Sequence, residues 1–133
     1  MARKYLYRGK SVDELKSLSA EEFRGLVNSR ERRLLKRGYM RFKKLLEKIE
    51  KAKEAMANGK EKTVKTHVRE AVVMPDWVGL KFGVHNGKEF KIVVIQDVMV
   101  GRRLGEFSHT TGRVAHSGPG VGATRGSKFI PLK

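Results

Sequence analysis

The feature that most constrains this chain is a change of hydrophobic period. From Tyr39 to Ala57, Phe42, Leu45, Leu46, Ile49, Ala52 and Met56 recur at steps of three and four, the spacing that places side chains on one face of an α-helix. After Asn58-Gly59 the period falls to two: Leu80, Phe82 and Val84 alternate with other residues, as do Phe90, Ile92 and Val94, on either side of His85-Asn86-Gly87-Lys88. A helix followed by a β-hairpin is therefore predicted, which makes the chain α+β.

Earlier in the chain, Ser11 with Glu14 and Ser19 with Glu22 have the spacing of capping boxes and predict two helix starts. Gly38 is the expected stop of a helix ending in Leu34-Leu35-Lys36-Arg37. For the hairpin, a two-residue Asn-Gly turn would pair Val84 with Glu89 and mix the apolar sets. A three-residue loop, His85 to Gly87, with Gly87 in a bulge, pairs residues 82 with 90 and 80 with 92 and gives them one shared face. The bulged form is the one predicted. Val72, Val73 and Met74, stopped by Pro75, are the expected third strand, because two strands alone are marginal in water. The chain thus divides into a basic helical region over 1–62, an α+β core with a small three-stranded sheet over 63–107, and an extended glycine-rich tail over 108–133.

Charge narrows the function. Thirty Lys and Arg against 14 Asp and Glu give a formal net charge of +16, and such self-repulsion calls for a polyanionic partner. No segment approaches the roughly 20 apolar residues of a membrane span, and Met-Ala-Arg-Lys-Tyr lacks the apolar core of a signal peptide, so a cytoplasmic protein without a membrane role is expected. Cysteine is absent, which removes disulfides, thiol nucleophiles and thiolate metal ligands. The densest basic run is Arg30, Arg32, Arg33, Lys36, Arg37, Arg41, Lys43 and Lys44, interrupted only by Glu31. Like charges at helical neighbours are unfavourable unless phosphate answers them, so Arg30 to Arg41 is read as a phosphate-binding stripe, the expected nucleic-acid contact. From Phe107 onward there are five glycines and no acidic residue, with Arg113 and Arg125 spread along the segment; such a tail orders against a partner rather than building a core.

Other motifs carry little. His67, His85, His109 and His116 stand at no metal-ligand spacing, so no metal is expected; His109 and His116 suit stacking or phosphate contact in RNA, and His67 simple surface exposure. Gly118-Pro119-Gly120-Val121-Gly122 has no preceding strand, and Gly126-Ser127-Lys128 has the wrong order for a phosphate loop, so no nucleotide cofactor is expected. No serine or threonine can be given a base, the paired carboxylates lie on charge-rich helices, and an enzyme is not expected. Trp77 reads as a core anchor.

The run Asn86-Gly87-Lys88, Ile95, Val100-Gly101, Leu104-Gly105-Glu106-Phe107 and Thr110 is similar, position by position, to the pattern of the small-subunit ribosomal protein nineteen family. Lys65-Thr66 with Arg69, and Met74-Pro75-Asp76-Trp77-Val78-Gly79, also resemble that family, and the long helical amino-terminal part and the tail resemble its archaeal and eukaryotic branch. The resemblance implies a non-catalytic protein of the ribosomal small-subunit head. It would bind the 3′ major domain of small-subunit rRNA beside ribosomal protein thirteen, its tail reaching towards the decoding region and transfer RNA, and would not be a stand-alone homo-oligomer. On matching positions it implies RNA contact for Lys65, Thr66, Arg69, Lys81, Asn86, Lys88, Arg102 and Arg103, and packing for Leu104 and Phe107. Gly101 and Gly105 suit either a close approach of backbone to phosphate or a structural turn. The alternative is a nucleoid-type DNA-binding protein, which shares the charge but calls for a recognition helix or minor-groove wedge.

Overall fold

A computed structural model describes residues 5–114. Both capping boxes form: the Ser11 and Ser19 N–H groups donate to the carboxylates of Glu14 and Glu22, whose own N–H groups donate back to the serine hydroxyls. They start α1 (Val12–Ser17) and α2 (Ala20–Leu26). The third helix, α3 (Ser29–Gly38), ends where expected, at a glycine whose missing Cβ leaves room for Phe42 Cε2 and Leu34 Cδ1. The helix expected from Tyr39 opens instead as a 3₁₀ turn over Tyr39–Phe42, and α4 proper is Lys43–Ala57. With Gly38 at φ −107°, ψ 0°, the backbone has already left α geometry, and the tighter turn carries it round to the axis of α4.

The sheet is three-stranded and mixed, in the order β1 (Val64–Thr66), β2 (Lys81–His85), β3 (Phe90–Val94). β1 lies parallel to β2, with Val64 opposite Phe82 and Thr66 opposite Val84. The third strand is thus not Val72–Met74. Val72 makes one antiparallel bridge to Arg103, and the backbone of Val73 is taken up by the later loop, accepting from Gly101 and donating to Arg102. Both valines are buried there, which is why their run is apolar.

The bulged hairpin is also corrected. β2 and β3 pair with His85 opposite Phe90 and Phe82 opposite Val93, so four residues, Asn86 to Glu89, form the loop. Asn86 selects it: its Oδ1 accepts from the N–H groups of both Lys88 and Glu89 at 2.9 Å, its own N–H donates to the Glu89 carbonyl, and Gly87 takes φ +104°. In this register Phe82 and Phe90 stand on opposite faces, and Val93 and Ile95 face the core in place of Phe90 and Ile92.

One cluster joins Leu45, Ile49 and Ala52 of α4 to Val64, Phe82, Val84 and Trp77, with the Trp77 and Phe82 rings 5.5 Å apart; Trp77 is the expected anchor. Fully burying side chains such as Phe82 contributes about 2 to 3 kcal/mol each. A second cluster gathers Leu15, Phe23, Val27 and Val100. Met74 and Val78 pack against both clusters and join them. Leu104, fully buried, and Phe107, packed at the margin, complete the first.

Candidate nucleic-acid interface

α3 sorts its basic residues by helical position. At about 100° per residue, Arg30, Arg33 and Arg37 lie within about 60° of one another, while Arg32 is turned about 100° to 160° away from them. Arg32 faces α2, where its Nε donates to the Arg24 carbonyl and its Nη2 to the carbonyls of Gly25 and Val27, all at 3.1 Å. It caps the orphan carbonyls of that helix end. Arg30, Arg33, Lys36 and Arg37 are exposed, and none enters an ion pair among the described residues. Arg41 lies 3.7 Å from Glu70 with most of its side chain exposed.

The residues singled out between positions 65 and 103 fall into two groups. Lys65 and Lys88 are exposed, and Lys81 is half-buried with its ammonium on Glu61. Arg102 is exposed and 3.5 Å from Glu106. Thr66, by contrast, is buried, its hydroxyl accepting from the Val68 N–H. Arg69 aims its guanidinium inward: Nη1 donates to the His85 carbonyl at 2.6 Å, and Nη2 to the carbonyls of Gly105 at 2.9 Å and Ser108 at 2.6 Å. Arg103 is tied through Nε to Glu31 at 3.2 Å, and Glu31, only 8% exposed, is thereby paired. The Asn86 oxygen holds the hairpin loop. His109 and Arg113 are exposed, while Arg125 and His116 lie outside the described residues.

The two glycines left open by the sequence both face protein. Gly101 has φ +77°, and a Cβ there would come within 2.8 Å of the Tyr7 Cζ. At Gly105 it would lie 3.1 Å from both Cβ and O of Arg69. Burial raises the pKa of the Tyr7 phenol, with Arg8 working against it.

Sequence reasoning missed one grouping. The corrected register brings Phe90 and His85 to the outer face of the sheet, rings 4.9 Å apart, and His67 completes a triad 4.3 Å from His85 and 5.1 Å from Phe90. The signal was Asn86 at the first loop position, whose capacity for an Asx turn favours the longer loop.

Exposed cations on α3 and the hairpin, mounted on a body where Arg32, Arg69 and Arg103 bind its own carbonyls and carboxylates, make a surface suited to phosphate. A family model described as Ribosomal protein S19 matches residues 33–116. Small ribosomal subunit protein uS19 of Methanococcus maripaludis is 44% identical over 131 residues, spanning 97% of this chain and 81% of that protein. With the matched region running from within α3 through the whole sheet, and the archaeal relative aligned along nearly the full chain, the protein belongs to the ribosomal protein S19 family.

Proposed function

We propose that the protein is a non-enzymatic structural component of the small ribosomal subunit, working in the cytoplasm as part of the ribosome. Its basic surface binds the 3′ major (head) domain of small-subunit rRNA beside ribosomal protein thirteen, and its tail extends towards the decoding region and transfer RNA. The observation that carries this role is the exposed stripe of Arg30, Arg33, Lys36 and Arg37, which enters no ion pair among the described residues, in a chain of net charge +16. Membership of the ribosomal protein S19 family and the likeness to the archaeal small-subunit protein uS19 support it. Phosphate contacts supply most of the affinity, and positive side chains offset repulsion between RNA strands that lie close together.

The test is co-sedimentation of the purified protein with small subunits on a salt gradient, with footprinting of the rRNA. Protection is expected in the 3′ major domain, and a duplex DNA competitor is expected to displace the protein poorly. Each phosphate neutralised adds about 0.7 to 0.9 to the log–log salt slope, so replacing Arg33, Lys36 and Arg37 by Ala lowers that slope by about 2. An unchanged slope removes the stripe from the mechanism, and failure to sediment with the particle overturns the role.

A further inference from the structure

We propose that the ring cluster of His67, His85 and Phe90 is a stacking site for one unpaired RNA base, a specific contact that rests on the rRNA-binding role above. His85 stands opposite Phe90 on the outer face of the sheet, the rings edge to face at 70°. His67, just past the end of β1, lies over His85 with only 34° between the ring planes and meets Phe90 at 78°. The arrangement is a compact ring cluster: Phe90 buttresses two imidazoles tilted 34° to each other, and His67 is the exposed member. A base placed on His67 extends the cluster.

Two details fit this occupant. The Gly87 N–H donates to His85 Nδ1 at 3.0 Å, which holds this imidazole against the hairpin loop and fixes the plane on which His67 rests. Lys65 has its ammonium 5.8 Å from the Phe90 centroid, and the bare Gly83 admits its stem: a Cβ there would lie 3.2 Å from Lys65 Cγ and 3.6 Å from Phe90 Cβ. Lys65 beside the rings and Lys88 on the loop are placed for the phosphates flanking a splayed nucleotide, with Glu89 the loop's one carboxylate. An apolar peptide would be better served further along β3, where Ile92 and Val94 are exposed. The ring end, cationic and carrying nitrogen edges, suits a base.

The test uses the full chain with two probes, a short single-stranded oligoadenylate and an RNA duplex of the same length, at moderate salt. His67→Ala is expected to weaken oligoadenylate binding by about tenfold, the factor matching about 1.4 kcal/mol of lost stacking, and to leave duplex binding unchanged. His67→Phe should retain single-strand affinity. Phe90→Leu, which removes the buttress without touching the core, should repeat the single-strand loss, and the His67 ring protons should move upfield when oligoadenylate is added. Unchanged single-strand affinity in His67→Ala overturns the site and leaves this face to a protein neighbour. An equal loss on duplex also overturns it, because the effect would then be electrostatic. A wild-type chain that bound neither probe would instead sink the rRNA-binding role itself.

Discussion

Replacing Arg69 by Lys separates a structural arginine from an RNA-binding one while keeping the net charge. In the structure one guanidinium bridges three carbonyls, those of His85, Gly105 and Ser108, and so joins the end of β2 to the 3₁₀ turn at Leu104–Phe107. A lysine ammonium lacks the planar fork and reaches one of these acceptors at a time. Two part-buried bonds to a charged donor are lost, and at about 1.5 kcal/mol each, the lower end for such bonds, the variant is destabilised by about 3 kcal/mol. For a domain of this size that is a fall in Tm of about 6 to 10 °C. The assay is urea unfolding followed by the fluorescence of Trp77, which is buried in the core. It is combined with rRNA-fragment binding under conditions where both proteins are folded, where affinities within about twofold are expected because the charge is unchanged. A variant that unfolded at the wild-type midpoint yet bound RNA more than tenfold more weakly would refute the inward role of Arg69.

Gly101→Ala forces a left-handed backbone on a residue with a Cβ and drives that carbon into Tyr7; a stability loss of about 2 to 4 kcal/mol is expected by denaturant titration, and Tyr7→Ala in the same background should recover part of it. Arg32→Ala should lower helix content and stability by circular dichroism with little change in the salt slope, whereas Arg33→Ala should do the reverse. The Glu22 carboxyl is held below its usual pKa, mainly by the Ser19 N–H and then by the Ser19 hydroxyl. A depressed folded-state pKa contributes stability above the unfolded value and loses it as pH falls through the folded one. The Tm gap between wild type and Glu22→Ala should therefore be constant well above the ordinary glutamate pKa of about 4.3 and shrink as pH falls below it; a gap that widened on acidification would contradict the cap.

The helices were legible because their signals are local. Each capping box is a contact between residues three apart, and the stripe on α4 is a matter of spacing alone. The hairpin register was not legible, because it depended on the Asn86 side chain taking two loop N–H groups, which outweighed the alternation of Phe90, Ile92 and Val94 and turned that set outward. The third strand was hidden for a different reason: Val64-Lys65-Thr66 is short, and only parallel pairing with β2 across an intervening segment makes it a strand. At the interface, charge located the stripe but not its partition. Arg30, Arg33 and Arg37 point to solvent and Arg32, though exposed, turns onto the carbonyls at the neighbouring end of α2, and Arg69 and Arg103 are spent on acceptors distant in sequence.

β3 is one of the two edge strands of the sheet among the described residues, and it presents Ile92 and Val94 at 65% and 45% exposure. Such an edge is a template on which a second copy can zip, and what keeps copies apart is mutual repulsion at net charge +16. Salt shortens the reach of that repulsion from about 10 Å at 0.1 M to about 3 Å at 1 M, so concentrated salt removes the guard without covering the edge. Free molecules are therefore expected to stay dispersed at low salt and to self-associate as salt rises.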